Sequence, residues 1–264
     1  VEQIEQTIRE VGPEFISAFI CEPIVGSQQG AVVPPDGYFA QVREICDKYD
    51  ILLIIDEVMT GFGRTGRYFA IEYFGIEPDI ITFGKGVSSG YAPLGGMIVH
   101  DRIVEALINN SKGKFMHGYT YSGHPVSVAA GLEAVKYYKQ KGVLDNCLRQ
   151  SKYLFKRLEN LRSKHKTIGE IRGKGLLIGL ELVQDHGEGK EFPPAFPAAE
   201  RLNAIAMELG AVFYPGSGSI DGFRGHHLLI APPLTITQHE IDEMVHILDQ
   251  ALSVFATELH HHRF

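Results

Sequence analysis

Residues 51–55 form an unbroken apolar run, Ile51-Leu52-Leu53-Ile54-Ile55, which ends in two carboxylates, Asp56 and Glu57. Such a run offers no polar face to water. It therefore predicts a buried strand of the kind found in parallel sheets. A second strand signal, Asp79 to Phe83, is followed at once by Gly84-Lys85-Gly86. The glycines permit backbone shapes that a side chain forbids. A lysine between them, just past an apolar strand, is an odd place for a surface charge. It is a good place for an amine that forms a Schiff base with an aldehyde cofactor. An aspartate ending a neighbouring strand is the partner such a cofactor needs at its pyridinium nitrogen. Taken singly, Lys85 reads as a loop lysine and Asp56 as a strand-end acid. Together they favour the chemical reading.

The chain alternates helix and strand patterns, which predicts an α/β architecture. Val1–Glu10 reads as a helix, Ile16–Glu22 as a strand, Phe39–Tyr49 as a helix and Gly96–Val99 as a short strand. Pro125–Tyr138 and Val143–Leu161 carry apolar residues at helical spacing. A boundary falls near Lys139-Gln140-Lys141-Gly142, dividing 1–140 from 141–264. Beyond it, Thr167–Arg172 and Leu176–Leu182 read as paired strands, Ala198–Glu208 as a helix, and Gly210–Tyr214 and His227–Ile230 as strands. Gln184–Pro197 reads as an exposed loop. Gln238–Leu259 is an amphipathic helix with Ile241, Met244, Val245, Leu248, Leu252 and Phe255 on one stripe.

Composition narrows the partners. A formal net charge of −7 argues against nucleic acid. No apolar run reaches the length of a membrane-spanning helix, and no charged-then-apolar start signals secretion. Cys21, Cys46 and Cys147 fit neither a disulfide framework nor a CxxC metal site. They point to buried thiols in a reducing cytoplasm. His260-His261-His262 reads as a solvated tail rather than a metal site. Gly61-Phe62-Gly63-Arg64-Thr65-Gly66 spells GxGxxG after a strand, but the carboxylates of Asp56 and Glu57 occupy the strand end and would repel a pyrophosphate. A P-loop nucleotidase could use Leu53–Glu57 as its magnesium-binding strand end. It also needs GxxxxGK[ST], which these residues lack, and Gly84-Lys85-Gly86 has no hydroxyl after the lysine.

The stretch Ile54-Ile55-Asp56-Glu57-Val58-Met59-Thr60-Gly61-Phe62-Gly63-Arg64-Thr65-Gly66, followed by Pro78-Asp79-Ile80-Ile81-Thr82-Phe83-Gly84-Lys85-Gly86, resembles the signature of class III aminotransferases. These are pyridoxal-phosphate enzymes of fold type I, the aspartate-aminotransferase-like fold. Cys21-Glu22-Pro23-Ile24-Val25-Gly26 with Val33-Pro34-Pro35-Asp36-Gly37-Tyr38, Gly118-Tyr119-Thr120-Tyr121-Ser122-Gly123-His124-Pro125, and Ala231-Pro232-Pro233-Leu234 resemble further family segments, in family order. The resemblance implies part of a large domain with a mostly parallel sheet, then a small C-terminal α+β domain. Family members are much longer, and their N-terminal part carries a phosphate-cradling turn and a ring-stacking aromatic. The resemblance therefore also implies a C-terminal fragment, inactive by itself.

For individual residues, the resemblance implies that Lys85 holds the cofactor aldehyde as an imine and that Asp56 keeps the ring nitrogen protonated. Val58 and Met59 pack on the ring face, and Glu22 is an acid near the cofactor. Thr120 gives its hydroxyl and N–H to the cofactor phosphate of the partner subunit in a homodimer. Thr120 also reads as a helix N-cap before Pro125, and Met59 as plain core. Members acting on ornithine carry an acid five positions after the Glu22 equivalent and an amide after the Val58 equivalent. Here these positions hold Ser27 and Met59. That pattern is closer to amine and omega-amino-acid transaminases, with a 2-oxo acid such as pyruvate as acceptor. Arg224 resembles a carboxylate-binding arginine, a task its planar fork suits. It reads equally as a surface-loop residue. A decarboxylase or aminomutase of the same fold would use the same lysine and aspartate, and a non-catalytic fragment would use neither.

Overall fold

The computed structural model describes residues 1–111 and 113–261, without the side chain of residue 261. His262, the last residue of the histidine run, lies outside the described residues. The chain forms two compact units. One comprises Val1–Pro23, Pro34–Gly63 and Arg67–Lys141; the other comprises Ile24–Val33, Arg64–Gly66 and the residues from Gly142 onward.

In the first unit, β1 (Ala18–Cys21), β2 (Leu52–Asp56) and β3 (Ile80–Phe83) run parallel, and β4 (Gly96–Val99) joins β3 antiparallel. The apolar run thus becomes a central strand. Leu53 and Ile55 are fully buried, while Leu52, Ile54 and Asp56 on the other face are half-buried. Between β1 and β2, α2 (Tyr38–Lys48) buries Phe39, Val42 and Cys46 at spacings of three and four residues. These join Leu53, Ile55 and Ile8 of α1 (Glu2–Val11) in one core. Burying a side chain the size of Phe39 contributes about 2–3 kcal/mol. Two further helices follow, α3 (Asp101–Ser111) and α4 (Pro125–Gln140).

Asp79 pins the amino end of β3. Its Oδ2 accepts the Leu53 N–H at 2.7 Å and Arg43 Nη1 at 2.9 Å, and its Oδ1 accepts Arg102 Nε at 2.7 Å. Burial alone would push this carboxyl up. The Leu53 N–H and the two guanidinium groups outweigh it and hold the carboxyl below the ordinary carboxylate range.

In the second unit, β5 (Ile168–Lys174), β6 (Leu177–Leu182), β7 (Tyr214–Ser217) and β8 (His226–Ile230) form an antiparallel sheet in the order β5-β6-β8-β7. Helices α5 (Val143–Lys164), α6 (Ala198–Glu208) and α7 (Gln238–His261) complete it. The α7 stripe of Ile241, Val245, Leu248, Leu252 and Phe255 is buried, with Met244 half-buried at its margin. The strand expected over Gly210–Tyr214 lies instead at Tyr214–Ser217. The cause is local: the Ala211 N–H donates to the Ala206 carbonyl at 2.9 Å and the Phe213 N–H to Asn203 Oδ1 at 2.8 Å. Residues 211–213 are thereby tied to the end of α6 and cannot join the ladder.

Two segments from the first quarter of the chain belong to this unit. Arg172 donates to the Gly30 carbonyl at 2.9 Å and the Gln29 carbonyl at 2.8 Å, and His227 Nε2 lies 3.0 Å from the Ser27 carbonyl. Gly30, at a φ of 69°, lies where a Cβ would strike the His227 ring. Arg64 Nη1 donates to the carbonyls of Leu176 at 3.1 Å and Pro232 at 2.6 Å. No helix among the described residues is long and apolar enough to cross a membrane. The three cysteines are free, and burial pushes the Cys21 thiol up to about 12.

Asp79→Asn removes one charge from a buried cluster and should destabilise the protein by about 3 kcal/mol at neutral pH. The folded carboxyl is depressed, so its contribution is complete above the unfolded value near 3.9 and fades as pH falls below it. Urea unfolding of the variant and the parent should therefore differ fully at neutral pH and converge in strong acid.

Candidate active site

The sheet register assembles the site. Cys21 pairs with Ile55, and Asp56 pairs with Thr82. Glu22, Asp56 and the turn after Phe83 therefore follow one another along the carboxyl ends of three adjacent parallel strands. In open α/β sheets this is the edge where ligands bind. Topology thus brings Glu22, Asp56, Val58, Met59 and Lys85 to one edge of the sheet. Asp56 Oδ1 accepts the Val58 N–H at 2.9 Å, which ties the carboxylate to the loop that follows it.

Lys85 opens a short 3-10 turn, Lys85–Ser88, with its side chain exposed. Its φ of 43° lies in the left-handed region, which costs a non-glycine residue about 1–3 kcal/mol. Neighbours on several sides hold the turn there. A Cβ on Gly84 would lie 3.6 Å from Val58 Cγ1. One on Gly86 would press within 3.2 Å of Phe62 Cβ and 3.3 Å of the Gly61 carbonyl. The Tyr138 hydroxyl of α4 donates to the Gly86 carbonyl at 2.6 Å. Gly86 is therefore needed for close approach, whereas a Cβ on Gly84 would make only ordinary contact with Val58.

Glu57, beside Asp56, is fully buried and points into its own loop. Its Oε2 accepts the Thr60 hydroxyl and, at 2.9 Å, the Ala70 N–H; its Oε1 accepts the Ile71 N–H at 2.8 Å. Burial pushes this carboxyl up despite the three donors. The Phe62 N–H donates to the Tyr68 carbonyl at 2.6 Å and the Gly63 N–H to the Arg67 carbonyl at 3.0 Å. The GxGxxG stretch is thus part of a closed loop, and the next element is a five-residue 3-10 turn, Ala70–Phe74. A dinucleotide site would need a helix N-terminus there.

Thr120 sits in an exposed turn in which the Ser122 N–H donates to the Tyr119 carbonyl at 3.0 Å. It does not cap α4; His124 does, accepting the Ser127 N–H at 3.4 Å. Phe115, Met116, Tyr119 and Tyr121 around Thr120 are exposed. Arg224 belongs to the second unit, in the loop between β7 and β8. Its Nε donates to Asp221 Oδ2 at 2.8 Å, and its Nη1 lies 3.6 Å from Glu191 Oε2. The Arg224 bond, with the Arg224 and Phe223 N–H groups, lowers the Asp221 carboxyl to about 2. Tyr138 and Glu57 are the residues whose structural roles the sequence reading missed. The signal for Tyr138 was the Gly131, Ala134, Tyr138 spacing on α4.

An exposed lysine and a tethered carboxylate one strand away are the groups that a pyridine aldehyde requires, an amine for its carbonyl carbon and an acid for its ring nitrogen. The family model for class-III aminotransferases matches residues 1–252. The chain belongs to this family. It is 40% identical over 252 residues to the putrescine–pyruvate aminotransferase of Pseudomonas aeruginosa, covering 95% of this chain and 52% of that protein. A transaminase from the marine bacterium Virgibacillus superposes with a TM-score of 0.93 at 38% identity, covering 98% of this chain and 57% of that one. An amine transaminase from an uncultivated Pseudomonas species, solved in its PLP-bound internal aldimine form, superposes with a TM-score of 0.86 at 36% identity, covering 96% of this chain and 55% of that one. The fold is that of the fold type I transferases, whose cofactor in this family is pyridoxal 5′-phosphate. The chain spans about half the length of the curated relatives it matches.

Glu57→Gln would set amide hydrogens against a backbone N–H. We expect it to lower stability by about 1–3 kcal/mol and to expose residues 60–71 to protease. A variant with unchanged melting and proteolysis would show that the buried carboxylate does not hold the loop.

Proposed function

We propose that the intact protein carrying this chain is a transaminase that moves an amino group from an amine or omega-amino acid to a 2-oxo acid, with pyruvate the first acceptor to test. The observation that carries this reading is Lys85 and Asp56 at the carboxyl ends of neighbouring parallel strands. When bound, the cofactor supplies an electron sink for the charge that develops at the substrate carbon. Lys85 Nζ would hold the aldehyde carbon, and as a free amine it would take the proton from the substrate carbon and deliver it to the cofactor carbon.

Asp56 would keep the ring nitrogen protonated, its tether to the Val58 N–H fixing the direction of the carboxylate. Val58 and Met59 flank the ring face, and Glu22 is the neighbouring acid. Thr120 serves the cofactor phosphate of a second copy in a homodimer. The exposed apolar side chains around Thr120 support this, because large apolar patches mark association surfaces.

Ser27 and Met59 support an amine or omega-amino-acid donor. Putrescine, named for the Pseudomonas aeruginosa relative, has no carboxylate. An amine of that kind would leave the Arg224–Asp221 pair intact, whereas a substrate carboxylate on Arg224 must displace Asp221. Turnover is proposed for the intact protein, and the 264 residues alone are expected to be inactive.

Lys85→Ala should abolish the borohydride-fixed cofactor adduct, as read by peptide mass mapping. A surviving adduct on another lysine sinks the assignment. Asp56→Ala should keep the adduct but slow transamination about 100-fold, equivalent to about 2.7 kcal/mol. A near-parental rate removes Asp56 from the ring nitrogen. Consumption of the 2-oxo acid alongside the amine separates transamination from decarboxylation or amino migration.

A further inference from the structure

We propose that Tyr138 is a positioning residue for Lys85, holding the strained lysine turn from the side of α4. The inference rests on Lys85 being the covalent anchor. Tyr138 is only 6% exposed, and its hydroxyl donates to the Gly86 carbonyl at 2.6 Å across 52 residues of sequence. That carbonyl also accepts the Ser89 N–H at 3.1 Å. Both of its acceptor directions are thus engaged.

The sequence of α4 is shaped for this contact. Gly131, Ala134 and Tyr138 are its buried residues, at spacings of three and four. A side chain at Gly131 would strike Leu94, and a Cβ there would lie 3.5 Å from the Val87 carbonyl. Small residues bring the helix against the lysine turn, and the tyrosine then reaches its backbone. A Cβ on Gly86 would come within 3.2 Å of Phe62 Cβ and 3.3 Å of the Gly61 carbonyl, so Gly86 has no room to carry a side chain without displacing the loop after β2. The chain is therefore confined one residue after Lys85, while Lys85 itself stays at a φ of 43°. A lysine in that region relaxes to negative φ unless its surroundings prevent it. Removing the phenol hydroxyl frees the downstream hold without altering any group that touches the cofactor.

The test uses the intact protein stripped of cofactor. Pyridoxal phosphate is added, samples are quenched with borohydride at timed intervals, and the adduct on the Lys85 peptide is measured by mass. Tyr138→Phe should capture the aldehyde at Lys85 about tenfold more slowly, equivalent to about 1.4 kcal/mol. Its circular dichroism and cooperative melting should stay close to the parent's. Gly86→Ala, which pushes the turn off Phe62, should slow capture in the same way. Tyr137→Phe, a change at the exposed neighbouring tyrosine, should leave the rate alone. An unchanged rate at Lys85 in Tyr138→Phe overturns the inference. So does an unfolded Tyr138→Phe, because the contact would then serve folding. Capture at another lysine in the parent removes the anchor and both readings with it, whereas capture at Lys85 with an unchanged Tyr138→Phe rate removes only the role of Tyr138.

Discussion

The ladder between β2 and β3 is the constraint on which the candidate site depends. Asp56 lies opposite Thr82, and Lys85 follows three residues later. A slip of one residue would turn Asp56 to the other face of the sheet and move the lysine turn by about 3.3 Å. The ladder is secured at both ends. Asp79 exchanges hydrogen bonds with Leu53, its N–H donating to the Leu53 carbonyl while its carboxylate accepts the Leu53 N–H, and two arginines brace it. At the other end, the Glu57 N–H donates to the Thr82 carbonyl at 2.9 Å. Polar groups buried at one end of the sheet therefore set the geometry of chemical groups displayed at the other.

The display itself is strained where it matters. A left-handed lysine is less stable than a relaxed one by a few kcal/mol, and it persists only because its surroundings over-determine it. Phe62, from the loop after β2, and Tyr138, from α4, supply that constraint. Glu57 contributes one step removed, by closing the loop from which Val58 and Phe62 project. Asp56 and Glu57, adjacent in sequence, thus divide their work. One faces the strand edge, and the other is buried to hold the loop.

Much of this was legible in the sequence, for physical reasons. The run 51–55 announces a buried strand because it is short, rich in β-branched isoleucine and bounded by charged residues. The α7 stripe is legible because its period matches a helix. What escaped depends on long-range contacts. The displaced strand at Tyr214–Ser217 follows from Asn203, a side chain on another element, claiming the Phe213 N–H. The membership of Ile24–Val33 in the second unit follows from Arg172 and His227, more than a hundred residues downstream. Helix α3 is one element the sequence did show, with Ile103, Val104, Leu107 and Ile108 at helical spacing, but it was not read from them. The sequence places Tyr138 only at the end of a helical segment, and the structure shows its hydroxyl on the backbone beside Lys85.

The central proposal is that two side chains at neighbouring strand ends would address opposite ends of one ring, Lys85 the aldehyde carbon and Asp56 the nitrogen. The most direct measurement is nitrogen NMR of the intact protein loaded with cofactor labelled at the ring nitrogen. The account predicts a protonated ring nitrogen from neutral to mildly alkaline pH in the parent and its loss in Asp56→Ala. An unprotonated nitrogen in the parent, or equal protonation in the variant, would contradict it.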